Sequence, residues 1–184
     1  MAAQTDVMTL TTVTIAPMDG AADARAFYDL NARWITQHFA LEDSDLAVMT
    51  DPETAVVAAG GAVLVAREGE RCIGCVALLP HAPGVAELAK MTVDPDHRGA
   101  GVGRALITAA IDRARSMGFD RLVLESNTAL VAAVRLYESV GFRHVPVDER
   151  QPSPYARADV FMDLDLTRLP VGHRPGPSVE LHSH

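Results

Sequence analysis

Glycines recur at every second position in the segment Arg98-Gly99-Ala100-Gly101-Val102-Gly103-Arg104. The residues before it indicate a strand that ends at Val93, and the apolar period becomes helical over residues 101–116. A strand-to-helix turn without side chains leaves backbone N–H groups open at the positive end of a helix dipole, where they favour an anion. Because a pyrophosphate can use several such donors at once, the segment predicts a pyrophosphate site with two arginines beside it, Arg98 and Arg104.

Two familiar phosphate-binding motifs do not fit this segment. An ATP-type loop needs Gly-x-x-x-x-Gly-Lys-Ser/Thr, and no lysine follows these glycines. A dinucleotide-binding turn needs glycine at position 104, which is arginine, and it opens a strand-helix-strand unit, whereas this turn follows a hairpin in mid-chain. A tight turn that merely needs glycine remains as the alternative. His97, at the mouth of the turn, is expected to be solvated rather than bound to a phosphate.

Length and composition limit the class of protein. The 184 residues are 48% hydrophobic and 22% charged, which is enough for one buried core. The net charge of −8, without a long run of Lys or Arg, argues against nucleic acid as a partner. The first residues lack the pattern of a secretion signal, and about 18 apolar residues never follow one another. We therefore expect a cytoplasmic protein that does not cross a membrane.

Cys72 and Cys75 form the string Cys-Ile-Gly-Cys, a spacing found in redox and zinc sites. Their neighbours indicate a strand, in which positions three apart point to opposite faces. The sequence also has no second pair of ligands that would complete a zinc site. We expect two buried structural thiols and no metal site.

The apolar pattern predicts a single domain over residues 10–166, between disordered tails at residues 1–9 and 167–184. The predicted strands are residues 11–15, 62–66, 72–79, 85–93, 121–125, 142–147 and 159–166. The predicted helices are residues 20–39, 43–49, 101–116 and 129–140. The order βααβββαβαββ predicts an α/β fold, a mixed sheet of about seven strands with helices on both faces.

Three motifs in sequence order resemble those of the GNAT superfamily of N-acetyltransferases. Residues 98–103 match the family's Arg/Gln-x-x-Gly-x-Gly/Ala pyrophosphate loop, and residues 87–93 resemble its fourth strand. Asn127 together with residues 133–142 is similar to the family's second cofactor-contacting helix. Residues 10–86 agree with the family in element order alone. The resemblance implies that the twisted sheet is mostly antiparallel, an α+β arrangement.

The resemblance also implies acetyl transfer to an amine, with acetyl-CoA as the co-substrate and no metal. In the family the pantetheine arm lies along the fourth strand, which here implicates Met91, Thr92 and Val93. The backbone amide of Met91 is the expected donor to the thioester oxygen, where it would stabilise developing negative charge. Asn127 is expected to cap the helix that starts near Ala129 or to bind the pantetheine amides, and the two roles are compatible.

Tyr137 is the candidate general acid, because the family commonly places a tyrosine of this helix close to the sulfur. A phenol with a pKa of about 10 can hydrogen-bond a thiolate, whose thiol has a pKa of about 8.5, or pass it a proton at moderate cost. The alternative is that Tyr137, in register with Val134 and Val140, only packs in the core.

Glu87 is the candidate general base. It precedes Arg98 by the eleven positions that the histone-acetyltransferase branch of the family uses for its catalytic glutamate. Partial burial would have to raise its pKa for this role. A solvated carboxylate paired with Lys90 or Arg71 is the alternative, many family members need no dedicated base, and Glu125 is the reserve candidate.

The acceptor site is expected outside these motifs. Trp34, Phe39, Tyr155 and Arg157 are candidates to line a cleft, in which Arg157 or Arg150 would meet an acceptor carboxylate, as in an amino acid. We expect a small-molecule amine or amino acid as acceptor, with protein N-termini or lysines as the main variant. A catalytically silent acyl-CoA-binding module is the alternative of a different class. Exposed strand edges are consistent with a homodimer.

Overall fold

The computed structural model describes residues 12–150 and 152–168 and the backbone of residues 179–180. The strands are β1 (Thr12–Pro17), β2 (Ala62–Glu68), β3 (Arg71–Ala82), β4 (Val85–Val93), β5 (Arg121–Ser126), β6 (Arg143–His144), β7 (Val160–Asp165) and β8 (Val179–Glu180). The α-helices are α1 (Gly20–His38), α2 (Asp43–Met49), α3 (Val102–Ser116) and α4 (Val131–Ser139). Short helical turns occupy Glu53–Val57, Pro95–His97 and Val147–Glu149. The predicted order βααβββαβαββ is confirmed, with β8 in addition.

The strands form one sheet in the order β6-β7-β5-β4-β3-β2-β1-β8. Neighbouring strands are antiparallel except β4 and β5, which are parallel. The prediction of a mixed, mostly antiparallel sheet is confirmed. Within the predicted C-terminal tail, β8 pairs with β1 and so departs from the expected disorder. The tail predicted at residues 1–9 lies outside the described residues.

Side chains of β2 enter two apolar clusters, one on each face of the sheet. Ala62, Leu64 and Ala66 belong to the cluster that contains residues of α3 and α4. Val63 and Val65 belong to the cluster that contains residues of α1 and α2. Burial on both faces explains why β2 has an apolar run instead of an alternating sequence. Each valine or leucine buried in this way contributes roughly 2 kcal/mol, and the predicted cover of helices on both faces is confirmed.

A β-bulge in β3 changes the expected arrangement of the two cysteines. Cys72 and Gly74 pair with successive residues of β2, so Ile73 is an extra residue in β3. The bulge shifts the alternation of side chains, and Cys72 and Cys75 both pack in the cluster on the α1 side of the sheet. The expectation that they point to opposite faces is wrong for this reason. Both thiols are free, Cys75 is buried, and Cys72 is half-buried rather than buried as expected.

The strand β6 is shorter than the predicted strand over residues 142–147. Val145 still donates its backbone N–H to the Phe161 carbonyl oxygen, at 2.8 Å. Pro146 has no N–H to continue the ladder, and it precedes the helical turn Val147–Glu149. The proline therefore ends the pairing that the apolar pattern predicted to continue.

Gly61 lies in close contact with the backbone of two other segments. A Cβ atom on Gly61 would be 2.2 Å from the Leu78 carbonyl oxygen and 2.9 Å from the Val56 carbonyl oxygen. We expect Gly61→Ala to lower the free energy of unfolding by about 3 kcal/mol, because backbone atoms must move to admit the methyl group. Urea denaturation followed by circular dichroism measures this loss.

Gly69→Ala is the matched control, because the space around Gly69 is open although its φ is +59°. The added methyl group there should cost about 1 kcal/mol, the strain of a left-handed backbone. Equal losses in the two variants would contradict the close contact at Gly61.

Candidate active site

The parallel strands β4 and β5 pair over a short stretch and then separate. Their pairs are Val85 with Arg121, Ala86 with Leu122 and Glu87 with Val123. Beyond Glu87 the strand β4 continues to Val93 without β5 as a neighbour on that side. An open strand edge exposes backbone donors and acceptors that can pair with an extended chain.

A β-bulge in β4 lies within this open stretch. Thr92 pairs with Cys75 and Ala89 with Ala77, so two residues, Lys90 and Met91, stand opposite one residue of β3. Lys90 has φ = +52°, a left-handed conformation that costs a residue with a side chain about 1 kcal/mol. Bulges bend a strand and change the direction of its backbone groups, and here the change falls at Met91.

A cavity of about 580 Å³ opens where β4 and β5 separate. The predicted site residues in its wall are Trp34, Glu87, Met91, Thr92, Val93, Arg98, Gly99, Gly103, Asn127, Tyr137, Tyr155 and Arg157. The wall also includes Phe39 and the reserve base Glu125. Four residues of the predicted pyrophosphate loop, Ala100, Gly101, Val102 and Arg104, lie outside the wall.

The glycine-rich turn leads into the N-terminus of α3. Gly101 is the residue before the helix, with φ = +88°, and a Cβ atom there would meet no atom within 4 Å. The first N–H groups of α3 have no partner within the helix, so this open turn fits an anion. Arg98 donates to the Val93 carbonyl oxygen and lines the cavity, whereas Arg104 donates to Ser139 Oγ on α4, at 2.9 Å.

His97 is half-buried and lines the cavity, so the expectation of a solvated side chain is wrong. Its side chain is 12% exposed, with Nε2 3.3 Å from Glu68 Oε2 and Nδ1 3.7 Å from Asp94 Oδ1. Asp94 also accepts from Arg33 at 2.9 Å and from Arg71 at 3.1 Å. Burial would raise the pKa of Asp94, but these arginines lower it. Arg71 therefore pairs with Asp94 and not with the candidate base.

Glu87 is half-buried and lies near a second carboxylate, Glu125. Burial, followed by the charge of Glu125, raises the pKa of Glu87 to about 7, and Lys90 opposes this shift. Ser153 donates its hydroxyl to Glu125 Oε2. A carboxyl group with a pKa close to neutrality can accept a proton near pH 7, as a general base must.

Tyr137 packs in the core and also contributes to the cavity wall. Its ring lies 6.1 Å from the Phe142 ring in an edge-on arrangement. Burial raises the pKa of Tyr137 to about 12, so the phenol keeps its proton near neutral pH. The packing role and a hydrogen-bonding role toward the cavity are compatible.

Asn127 stabilises the turn that precedes α4. Its Oδ1 accepts from the Ala129 backbone N–H at 2.8 Å, and its Nδ2 donates to the Arg157 carbonyl oxygen at 2.6 Å. The helix begins at Val131, two residues later than predicted, and Leu130 occupies the cap position. The first turn is delayed because Asn127 holds the chain in a side-chain turn, and the expected capping role is replaced by these two contacts.

A buried ion cluster closes the end of the cavity near α2. The Asp45 carboxylate, whose side chain has 0% exposure, accepts from Lys90 Nζ at 2.7 Å. It also accepts from both terminal nitrogens of Arg157, at 2.9 and 2.7 Å. Lys90 Nζ donates to the Tyr155 hydroxyl oxygen at 2.9 Å, and Arg157 lies 3.0 Å from Glu42 Oε1. The cluster joins α2, the bulge of β4 and the segment before β7.

Sequence reasoning missed Asp45, which it placed in a short helix over residues 43–49 without a role. Its one signal was the spacing of four residues to Met49, which puts both side chains on one helix face. The structure also assigns Lys90 to Asp45, so the alternative in which Lys90 pairs with Glu87 is not observed.

Neither arginine proposed for an acceptor carboxylate is free for that contact in the described structure. Arg157 is engaged by Asp45 and Glu42. Arg150 donates to the carbonyl oxygens of Val145 and Asp159, and it is absent from the cavity wall. The expected carboxylate contact therefore lacks an available partner among these two side chains.

The Acetyltransferase (GNAT) family model matches residues 24–142. The chain belongs to the GNAT family of acetyltransferases.

Curated relatives resemble the chain over part of its length. An uncharacterized N-acetyltransferase of Schizosaccharomyces pombe is 34% identical over 110 residues, which are 59% of this chain and 66% of the relative. The mycothiol acetyltransferase of Thermobispora bispora is 47% identical over 64 residues, 35% of this chain and 22% of the relative. Human N-acetyltransferase 8B is 32% identical over 108 residues, 54% of this chain and 48% of the relative. The chain thus spans less than two thirds of the length of each.

Solved structures share the fold over most of the chain. An acetyltransferase of the GNAT family from Staphylococcus aureus has a TM-score of 0.76 at 17% identity, over 84% of this chain and 99% of that one. A protein of Salmonella typhimurium, solved with its cofactor acetyl-CoA, has a TM-score of 0.67 at 26% identity, over 90% of this chain and 97% of that one.

Among the residues that the structure describes, no group of three or more His, Cys, Asp or Glu side chains could hold a metal ion. Among the same residues, no helix is both long enough and apolar enough to cross a membrane.

The buried Asp45 gives stability a specific pH dependence. Burial would raise the pKa of Asp45, but hydrogen bonds from Arg157 and Lys90 lower it from 3.8 to about 2. A lowered folded-state pKa contributes stability above about pH 4 that is lost as the pH falls toward 2, an amount of about 2 kcal/mol. We expect Asp45→Asn to lose about 3 kcal/mol at pH 7, because two half-buried cations, Lys90 and Arg157, lose their charged partner. Urea denaturation at pH 7, 4 and 2.5 measures the difference between the variant and the parent.

That difference should shrink between pH 4 and pH 2.5, because Asp45 of the unfolded parent binds a proton in this range while the folded protein, with a pKa of about 2, mostly does not. Asp29→Asn, in an exposed pair with Arg25, is the control and should change stability by less than about 1 kcal/mol at every pH. A difference for Asp45→Asn that stayed constant over this range would be inconsistent with a lowered pKa.

Proposed function

We propose that this chain transfers an acetyl group from acetyl-CoA to a primary amine of a small molecule or amino acid, by direct attack within a ternary complex. The observation that carries the proposal is Glu87, whose carboxyl group has a pKa raised to about 7 and lies in the wall of the cavity at the open edge of β4. Membership of the GNAT family and the similarity to a protein solved with acetyl-CoA support the identity of the donor.

The donor would bind along β4 and at the N-terminus of α3. The open edge at Met91 to Val93 offers backbone groups to the amides of the pantetheine arm. The glycine-rich turn and Arg98 offer N–H donors and positive charge to the pyrophosphate. Acetyl-CoA supplies the thioester carbonyl carbon that the amine attacks.

Three groups of the chain each take part in one step of the acetyl transfer. Glu87 accepts a proton from the attacking amine, directly or through water. The Met91 backbone N–H donates to the oxygen that becomes negative as the new C–N bond forms. Tyr137 donates a hydrogen bond to the sulfur as the C–S bond breaks.

Tyr137 could either transfer its proton to the thiolate or only donate a hydrogen bond to it, and its pKa distinguishes these two roles. With a pKa raised to about 12, the phenol would lose about 5 kcal/mol by giving its proton fully to a thiolate whose thiol has a pKa of about 8.5. Stabilisation of the thiolate by a hydrogen bond is therefore favoured, and water can supply the final proton.

Glu87→Gln tests the base. We expect kcat/KM of the parent protein to rise with pH through about 7, because only the ionised carboxylate accepts a proton. The substitution should lower kcat/KM by about 100-fold at pH 7.5 and remove that limb of the profile. In a thiol-release assay with an alkylamine acceptor, the amine has a pKa of about 10, so its ionisation is separated from that of Glu87.

Glu70→Gln, in the exposed turn between β2 and β3, is the matched control and should leave the profile unchanged. If kcat/KM of Glu87→Gln still rose with an apparent pKa near 7, that ionisation would belong to another group. Glu87 would then have no role as the base.

Gly101→Val tests the anion site at α3. The new side chain would occupy the open turn and strain the backbone, so we expect acetyl-CoA affinity to fall at least about tenfold by titration calorimetry. Gly118→Val is the control, because Gly118 follows the other end of α3 with φ = +84° and equally open surroundings. Both variants should lose similar stability, while Gly118→Val keeps its affinity. Unchanged affinity in Gly101→Val would refute the anion site.

A further inference from the structure

We propose that the acceptor is a primary amine attached to an aromatic or similarly apolar group, with no carboxylate beside the amine. This inference rests on the proposed function and narrows its acceptor. It follows from the part of the cavity lined by the last turn of α1, by β4 and β5 and by the segment before β7. Its wall combines aromatic rings with two carboxylates that, among the described residues, lack a cationic partner.

The aromatic part of this wall is a cluster of three rings around the end of α1. The Trp34 ring lies 5.3 Å from His38 and 6.1 Å from Phe39, and His38 and Phe39 are 6.2 Å apart. All three line the cavity, as does Tyr155. Trp34 and Phe39 are only half-buried, so part of each ring remains available. Such a surface binds apolar groups, and flat rings in particular, better than it binds small hydrated ones.

The cations at this end of the cavity are already neutralised. Lys90 and Arg157 both contact Asp45, and Arg157 also contacts Glu42. An acceptor carboxylate could reach Arg157 only by displacing these partners, which would leave the buried Asp45 with one cation instead of two. The loss of a partner by a buried charge is costly, so the cluster opposes a carboxylate in the acceptor.

The anions at this end are not neutralised. Among the described residues, neither Glu87 nor Glu125 forms a salt bridge, and Glu125 accepts only a neutral hydroxyl, that of Ser153. The mutual repulsion of these two carboxylates contributes to the raised pKa of Glu87. An ammonium group entering the cavity would relieve that repulsion, whereas a carboxylate would add to it.

Together these features select one kind of molecule. Its ammonium group lies toward Glu87 and Glu125, its apolar group lies against Trp34 and Phe39, and it brings no negative charge to the cluster at Asp45. A free aromatic amino acid meets the first two conditions and fails the third.

The test compares matched acceptors with the full chain and acetyl-CoA in a thiol-release assay. We expect kcat/KM for 2-phenylethylamine and for phenylalaninamide to exceed that for phenylalanine by about 100-fold, the effect of one unpaired charge in the site. We expect 2-phenylethylamine to exceed ethylamine by at least about tenfold, the effect of the ring. Equal values for phenylalanine and its amide would overturn the proposed acceptor class while leaving acetyl transfer intact.

Two variants test whether the aromatic rings in the cavity wall cause the preference for 2-phenylethylamine over ethylamine. Trp34→Ala should reduce the preference for 2-phenylethylamine over ethylamine by about tenfold without changing acetyl-CoA affinity, which also reports that the variant is folded. Gln37→Ala, exposed on the same helix and absent from the cavity wall, should keep the preference. An unchanged preference in folded Trp34→Ala would overturn the role of the rings. Acetyl-CoA binding without turnover of any amine would overturn the proposed function, and this inference with it.

Discussion

The separation of β4 from β5 after Glu87 is the constraint on which the rest of the site depends. A parallel pair that continued to Val93 would satisfy the backbone groups of β4 and fill the space between the strands. Since pairing stops after three residues, β4 keeps an open edge, and the cavity lies against it. The bulge at Lys90 and Met91 also interrupts regular pairing, here between β4 and β3. The ion cluster at Asp45 fixes the side chain of Lys90, and these contacts offset the cost of the left-handed backbone there.

The fold was largely predictable because its information is local. The bounds of α2 and β4 follow from the apolar period and from Asp94-Pro95, and the structure has them at Asp43–Met49 and Val85–Val93 as predicted. The resemblance to the GNAT family, confirmed by the family model, rests on residues within one contiguous stretch. Errors arose where a single residue changes the phase or ends a pairing, as Ile73 does in β3 and Pro146 does after β6.

The acceptor half of the site could not be predicted in the same way. Trp34, Tyr155 and Arg157 lie in the cavity wall, but the partners that decide their roles are distant in sequence. A buried Asp45 has no local signature, since an aspartate in the first turn of a short helix is ordinarily solvated. If Asp45 is not known to be its partner, Arg157 is expected from the sequence to be a free cation. The cavity was therefore expected to bind an acceptor carboxylate, which the charges in the structure oppose.

The span of these contacts has a consequence for how the molecule folds. Arg157 meets Glu42 and Asp45 across 115 and 112 residues, whereas the glycine turn, β4 and α4 lie within the stretch from residue 85 to residue 139. Closing the longer loop has the greater entropic cost, and contacts of high sequence separation tend to form late. The segment that binds the donor can thus become ordered before Arg157 joins the ion cluster at Asp45. During synthesis, the pyrophosphate turn leaves the ribosome before Arg157, the residue that completes this cluster.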